Sequence, residues 1–234
     1  MPATTSRVDV PPARSRPLPG RIRDTFLAPG RLFATFGGEP PWVGAMLVAT
    51  AIAAVAVAAE PAQFYLDQME GAVSRRGTPV EITSPPEQIV LWGRVMAIFS
   101  ALAGHPLIGF AAAGLLTLVF RVIGRGDATF RQYLAVSAHA LLIVSAGMVA
   151  AVLLRLALGG PEALPTIGTF SGAGRDGALG RVLHGINLFT LWTLVVLAIG
   201  VAAVERRVTR SAATTLLLGA YLLAVVTGAY LFRG

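Results

Sequence analysis

The sequence has 234 residues, of which 55% are hydrophobic and 13% are charged, and it carries a formal net charge of +7. A soluble globular domain has about 25% charged and about 45–50% apolar residues, so this composition excludes an ordinary water-soluble enzyme. The absence of cysteine excludes disulfides, thiolate metal sites and cysteine nucleophiles. The basic residues lie at the ends of apolar runs and not on a soluble face with interleaved aromatic residues, so no nucleic-acid partner is predicted.

Residues 1–38 contain two predicted segments. Residues 1–19 include five prolines, which is typical of a disordered cytoplasmic tail. Residues 20–38 predict a short amphipathic segment in the membrane interface, divided by Pro29-Gly30, with aromatic side chains facing lipid and arginines facing water. The residues of these two faces are Phe26 and Phe33 on the lipid side and Arg23 and Arg31 on the water side. The alternative is a basic tail that only anchors the topology.

Residues 39–234 predict an all-α membrane domain. Five stretches in it contain no Asp, Glu, Arg or Lys, and each is long enough to cross about 30 Å of hydrocarbon at about 1.5 Å per residue. We therefore predict an integral membrane protein with a bundle of five transmembrane helices. The predicted spans cover about residues 41–60, 89–120, 132–154, 182–204 and 211–232.

The distribution of arginine predicts the orientation of this bundle. The amino-terminal segment and the two short loops on its side carry twelve arginines, whereas the other side carries seven. After subtraction of the acidic residues, the two sides have net charges of +7 and 0. Because positive charge favours the cytoplasmic side, we predict a cytoplasmic amino terminus and an outer carboxyl terminus. The use of arginine without any lysine favours a prokaryotic chain, and hence a multi-pass protein of the cytoplasmic (inner) membrane.

The loops contain helix start and stop signals. On the predicted outer side, residues 61–69 are expected to prolong the first helix beyond the bilayer, and the second helix is expected to begin near Pro86. On the cytoplasmic side, residues 124–126 predict a tight turn, with Asp127 or Thr129 capping the third helix.

Each of the three middle spans contains one histidine, namely His105, His139 and His184. Their depths from the cytoplasmic end are roughly 22, 10 and 30 Å at about 1.5 Å per residue, so the three do not share one metal site. A pair of His105 and His184 remains open, although no carboxylate lies nearby to orient it. We predict no metal, haem or other cofactor, and we interpret the histidines as polar packing or interfacial residues.

The five charge-free runs contain no embedded acidic residue. This pattern argues against an intramembrane aspartyl protease and against a proton-coupled transporter, which commonly uses embedded Asp or Glu. Ser100, Ser137 and Ser145 lack the sequence context of an activated serine nucleophile. We therefore predict no catalytic residues and no enzymatic activity.

Several polar or kinking residues lie within the spans. Pro106 is predicted to kink the second helix after His105, and Asn187 is predicted to make a packing hydrogen bond early in the fourth helix. Small residues at every fourth position from Gly93 to Ala101 predict close helix approach and self-association. The candidate intramembrane positions are His105, Pro106, His139, Asn187 and Trp192.

Four motifs follow one another along the chain. They are Phe-Leu-Ala-Pro-Gly-Arg-Leu-Phe at 26–33 before Trp42, Gly-His-Pro-Leu at 104–107, Asp-Ala-Thr-Phe-Arg-Gln-Tyr-Leu at 127–134, and Asn-Leu-Phe-Thr-Leu-Trp at 187–192 with the exit at 199–210. Together they resemble the Yip1 domain family, in particular its bacterial branch, over roughly residues 20–232. The resemblance implies an integral membrane protein without known catalytic activity. Eukaryotic relatives associate with Rab-type GTPases in vesicle trafficking, a partner that a bacterial protein is not expected to inherit.

The sequence thus predicts a non-enzymatic membrane protein that acts by binding membrane lipids, itself or another membrane protein. Its role would be that of a membrane-organising factor or of a subunit in a membrane complex. The alternative is a small transporter or channel-like carrier, with His105, Pro106, His139 and Asn187 along its path and an unknown small-molecule substrate. An odd number of spans without inverted halves argues against the carrier. A third hypothesis, an electron-transfer subunit, requires a bound haem.

Overall fold

The computed structural model describes residues 16–75, 84–160, 163–174 and 176–231, so most of the predicted tail lies outside the described residues. Helices account for 80% of the described residues. These ranges contain no strand and one isolated antiparallel bridge, between Thr166 and Asn187. Their α-helices are α1 (Leu18–Leu27), α2 (Pro29–Phe33), α3 (Val43–Ala58), α4 (Ala62–Arg75), α5 (Pro86–Leu116), α6 (Phe130–Leu158), α7 (Ile167–Ser171), α8 (Gly177–Gly185), α9 (Leu188–Val204) and α10 (Arg210–Leu231), and a π-helical segment (Thr117–Ile123) follows α5.

Helix α6 lies at the centre of the fold, where it packs against α3, α5 and α9. Its first turn is fixed by a capping box, in which the Thr129 hydroxyl accepts from the Gln132 amide and the Gln132 side-chain oxygen accepts from the Thr129 amide at 2.8 Å. Gly159 ends the helix in the left-handed region, at φ 73°. The predicted cap at this turn is therefore confirmed, with Thr129 and not Asp127 as the capping residue.

Small residues allow the helices around α6 to approach closely. A Cβ on Gly200 of α9 would lie 2.3 Å from a side-chain carbon of Val136 on α6. A Cβ on Gly109 of α5 would lie 2.6 Å from the terminal carbon of Met46 on α3. One face of α5 thus packs inside the chain, since Ala113, one turn beyond Gly109, is completely buried. The part of α5 with Gly109 and Ala113 is thus covered within the chain, and self-association stays a prediction.

Three helices are long and apolar enough to cross a membrane, namely α5 with its π-helical extension, α6 and α10. A fourth candidate is the pair of α3 and α4, which passes the same test only as a pair and bends by 83° at the break. Helix α9 is apolar but has only 17 residues. By length and composition, the described residues therefore give three or four candidate spans where the sequence predicts five.

The predicted fourth span, residues 182–204, is not one continuous helix, because two extended residues separate α8 from α9. The preceding loop holds this break open. The Ile167 amide donates to the Ile186 carbonyl at 3.0 Å, and the Leu188 amide donates to the Pro165 carbonyl at 2.9 Å. These loop hydrogen bonds replace helical ones, so the backbone leaves the helix without an unpaired group at these positions.

The amino-terminal segment forms α1 and α2, which meet just before Pro29-Gly30 as the sequence predicts. Helix α2 packs against α9, and Phe33 is 1% exposed within the core of the chain. The expectation that Phe33 faces lipid is therefore wrong, because an apolar helical face is covered here by protein. Arg23 and Arg31 are exposed on the other side of the segment, and Phe26 is half-buried.

Candidate functional site

A cavity of about 1170 Å³ lies between α4 and α5 on one side and α6 and the start of α9 on the other. Its volume exceeds the roughly 300–1,000 Å³ that is typical of pockets for small ligands. The lining is mostly apolar, with a few polar side chains at its two ends. The lining residues that matter most for its chemistry are Glu60, Trp92, Gly104, His105, Arg155 and Asn187.

A buried ion pair lies in the wall of the cavity. Glu60 lies in the bend between α3 and α4, and its carboxylate pairs with the guanidinium of Arg155 in the last turn of α6. The side chains of Glu60 and Arg155 are only 7% and 11% exposed. The Oε2 atom of Glu60 is buried and has no hydrogen-bond partner in the described part of the chain. A carboxylate oxygen in this position is an unused acceptor next to an apolar cavity.

Aromatic rings and a second arginine hold this ion pair in place. The Arg155 guanidinium lies 4.5 Å from the centroid of the Phe64 ring on α4. Arg94 of α5 donates to the Glu60 carbonyl at 3.2 Å and lies 5.7 Å from the Tyr65 ring centroid. Helices α3, α4, α5 and α6 thus meet at one polar corner, which fixes the bend between α3 and α4.

His105 lines the apolar part of the cavity and is 5% exposed. Its Nε2 lies 2.9 Å from Ser145 Oγ, which in turn lies 2.8 Å from the Ala49 carbonyl and 2.9 Å from the Leu141 carbonyl. A hydroxyl has one proton to donate, so a consistent arrangement has His105 donating to Ser145 and Ser145 donating to a carbonyl. The chain of hydrogen bonds joins α5, α6 and α3, and it leaves no free base beside the serine.

Between Arg155 and the contact of His105 with Ser145, the cavity covers about half the thickness of a bilayer. Arg155 and Ser145 are ten residues apart on α6, which corresponds to about 15 Å, against a hydrocarbon core of about 30 Å. Three α5 residues that line the cavity, Trp92, Met96 and Ile108, are 60%, 54% and 56% exposed. The cavity is therefore open along α5 to whatever surrounds that helix.

His139 lies in a different part of the molecule and does not line the cavity. Its ring is completely buried, with the rings of Phe36 and Phe33 at 5.2 and 6.4 Å between centroids. Its Nδ1 lies 2.8 Å from the Ala135 carbonyl, and its Nε2 has no partner among the described residues. No group of three or more His, Cys, Asp or Glu residues in the described ranges is arranged to hold a metal ion.

A second buried carboxylate, that of Glu205, lies at the opposite end of the bundle. Glu205 is 1% exposed at the end of α9. Its oxygens accept from the amides of Asp127 and Ala128, at 2.9 and 3.1 Å, and from the Tyr133 hydroxyl. A Cβ on Gly126 would lie 2.3 Å from Glu205 Oε1, so any other residue at that position would displace the carboxylate. Glu205 thus fastens the loop before α6 to the end of α9.

The Yip1 domain matches residues 23–231 of the chain. The chain belongs to the Yip1 family. The match includes every helix from α2 to α10 and the buried carboxylates of Glu60 and Glu205. No curated protein and no solved structure matches the chain. Membership of the Yip1 family, together with the apolar helices, makes it a membrane protein.

The cavity of this Yip1 domain brings together only two of the five predicted intramembrane positions, His105 and Asn187. Pro106, His139 and Trp192 do not line it, and α5 continues through Pro106 without a break. Trp192 packs edge-on against Phe26 at 5.4 Å between ring centroids. This cavity therefore does not bring together the four residues of the carrier hypothesis.

Asn187 is a helix cap and not a packing residue inside a helix, which corrects the prediction. Its Oδ1 accepts from the amides of Phe189 and Thr190, at 2.9 and 3.1 Å. Its own amide donates to the Tyr221 hydroxyl at 3.0 Å, and that hydroxyl donates to the Gly185 carbonyl at 2.9 Å. Tyr221 thus satisfies both backbone groups that the break between α8 and α9 leaves exposed.

Sequence reasoning missed Glu60 and Arg155 as site residues and counted them only as loop charges. One signal was present. Glu60 directly ends the first charge-free run, Arg155 directly ends the third, and both lie on the same predicted side of the membrane. Opposite charges at the same depth on two neighbouring spans are candidates for an ion pair.

Proposed function

We propose that this Yip1 protein acts by binding in the membrane, as an organising factor or as a subunit of a membrane complex, without catalysing a reaction. The observation that carries the proposal is the mostly apolar cavity that is open along α5 and has the buried Glu60–Arg155 pair in its wall. An apolar recess that opens sideways between helices fits a lipid chain or an apolar helix better than a soluble metabolite. Glu60 pairs with Arg155 and His105 bonds to Ser145, and no carboxylate among the described residues bonds to His105 to complete a triad.

The proposal includes five crossings, with α3, α5, α6, α9 and α10 as the spans. At about 1.5 Å per residue, α3 and α9 cover roughly 24 and 26 Å, which is slightly less than the hydrocarbon core of about 30 Å. Local thinning of the bilayer or the residues beyond each helix accommodate such a mismatch. The excess of arginine on one side favours a cytoplasmic amino terminus and an outer carboxyl terminus. The cavity then lies in the outer leaflet.

The proposal also places the protein in the bacterial branch of the family and in the inner membrane. The exclusive use of arginine as the basic residue supports a prokaryotic origin. Membrane lipids, a second copy of the chain or another membrane protein are the proposed partners, and no cofactor is required for such a role.

The experiment is mild-detergent extraction of a tagged copy from native membranes, followed by native mass spectrometry. We expect stoichiometric lipid or protein to remain bound. The purified chain should also fail to move solutes when it is reconstituted in liposomes. Solute flux that is lost in His105→Ala would overturn the proposal in favour of a carrier, and turnover of a substrate by the purified chain would overturn it in favour of an enzyme.

A further inference from the structure

We infer that the cavity binds one glycerophospholipid with a primary-ammonium headgroup, with an acyl chain along α5 and the headgroup at the Glu60–Arg155 pair. The inference depends on the proposed binding function and names the ligand of that same site. Its two parts, the chain and the headgroup, rest on different features of the cavity.

The apolar part of the cavity has the depth and the opening that an acyl chain needs. It begins at the Arg155 level and reaches His105 and Ile108, about half-way through a hydrocarbon core of about 30 Å. The acyl chain of a lipid in one leaflet covers the same depth. The opening along Trp92 and Met96 lets such a chain enter sideways from the bilayer, without passing through water.

A vacant stretch of wall lies at the middle of this apolar part. Gly104 of α5 lines the cavity, and a Cβ built on it meets no atom within 4 Å. By contrast, Gly93 and Gly109 of α5 are in tight contact with the side chains of Tyr65 and Met46. The open space next to Gly104 accommodates methylene groups of the acyl chain.

The proposed headgroup site at Glu60 and Arg155 contains two opposite charges and one hydrogen-bond acceptor that has no partner among the described residues. Glu60 and Arg155 are both nearly buried, and Glu60 Oε2 has no partner among the described residues. Glu60 also lies two residues after the end of α3, where the helix dipole favours a cation. A primary ammonium supplies both a positive charge and N–H donors for this oxygen, and the adjoining phosphate pairs with arginine.

Other common headgroups satisfy this end less well. A trimethylammonium group carries the charge but has no N–H to donate. A glycerol headgroup has hydroxyl donors but brings no positive charge, so its lipid places a net negative charge beside Glu60. Because acyl chains lie in hydrocarbon whether bound or free, selectivity comes from the headgroup and not from the chain.

The test uses the full-length protein in mild detergent and native mass spectrometry. It is titrated with dioleoyl phosphatidylethanolamine, phosphatidylcholine or phosphatidylglycerol, which share the same chains. We expect one phosphatidylethanolamine to bind about tenfold to a hundredfold more tightly than the other two, the range of a charge-assisted hydrogen bond. Glu60→Gln should abolish this preference, whereas Glu87→Gln, an exposed position on α5 outside the cavity, should leave it unchanged.

A second variant keeps the test valid if Glu60→Gln fails to fold. Gly104→Leu fills the open stretch of wall and should reduce binding of all three lipids, because the leucine occupies the space of the chain. Gly114→Leu is the matched control, since it lies on the same helix, has no atom within 4 Å of its Cβ and does not line the cavity.

The outcomes separate this inference from the proposed function. If the three lipids bind the native protein with equal affinity, and Glu60→Gln does not change these affinities, the headgroup assignment is wrong. Unchanged lipid binding in Gly104→Leu shows that the lipid sits elsewhere and overturns the site. In both cases the protein still binds lipid, so the proposed function is not affected. If the purified protein retains neither lipid nor a partner protein in native mass spectrometry, the proposed function is wrong.

Discussion

Replacement of Glu205 by alanine tests the buried carboxylate that fastens α9 to the loop before α6. The change leaves three donors without their acceptor, namely the amides of Asp127 and Ala128 and the hydroxyl of Tyr133. The site is 1% exposed, so water does not replace the lost acceptor without local opening. We expect a large loss of stability with little change in the helical content of the folded protein.

The magnitude follows from the number of donors. Each hydrogen bond to a charged acceptor contributes about 1.5–3 kcal/mol, and neighbouring bonds are not additive. We therefore expect Glu205→Ala to lower the free energy of unfolding by about 3–5 kcal/mol. Tyr133→Phe removes one of the three donors together with its bond, so its cost should be only about 1–2 kcal/mol.

The assay is reversible unfolding in mixed micelles, followed by circular dichroism, or thermal stability by size-exclusion chromatography after heating. Glu39→Ala is the matched control, because Glu39 is 81% exposed and its contact with Arg131 at 3.4 Å is a surface ion pair worth about 0–1 kcal/mol. If Glu205→Ala costs no more than Glu39→Ala, the carboxylate does not hold this junction and the reasoning is wrong.

Three further predictions concern packing, capping and topology. Gly200→Ala places a Cβ 2.3 Å from a valine carbon and should lower the free energy of unfolding by about 1–3 kcal/mol. The control is Gly219→Ala, whose Cβ has no atom within 4 Å and which should be neutral or slightly stabilising in the same thermal assay. Asn187→Ala removes the cap of α9 and should lower stability by about 0.5–2 kcal/mol, which unfolding in micelles would detect. Because the chain has no cysteine, a single cysteine can be introduced at Gly38 or Ser171 and probed in intact cells with an impermeant maleimide. We expect labelling at position 171 only, and labelling at position 38 would reverse the proposed orientation.

Local signals in the sequence predict much of the helical pattern. Pro86 starts α5, Pro29-Gly30 separates α1 from α2, and Thr129 caps α6, each as expected. These features depend on a few adjacent residues, whose backbone preferences are the same in any fold. The family resemblance has the same origin, because its motifs lie mainly at turns and helix starts.

The helical pattern of the amino-terminal segment did not predict which of its faces is covered by protein. The pattern identifies Phe33 on an apolar face that would contact lipid, yet Phe33 is 1% exposed and packs inside the chain. In a membrane protein, lipid and protein are equally apolar partners, so hydrophobicity alone does not distinguish them. The buried Asp24 is paired with Arg16, a contact that no periodicity indicates.

The polar corners were missed because they join distant parts of the chain. Glu60 and Arg155 are 95 residues apart, and Glu205 and Asp127 are 78 apart. Each of these carboxylates looks like an ordinary loop charge when it is read with its sequence neighbours. The cavity depends on the same long-range packing, since five helices contribute to its walls.

The contact of Tyr221 with the break between α8 and α9 has a consequence for the order of assembly. Tyr221 lies on α10, the last described helix to leave the ribosome, 34 residues after the Asn187 amide that its hydroxyl accepts from. Until α10 is synthesised, the Gly185 carbonyl and the Asn187 amide lack this partner, and an unpaired backbone group away from water is costly. The carboxyl-terminal helix therefore completes a segment that was synthesised earlier, and a chain truncated before it should be recognised as unfinished by membrane proteases.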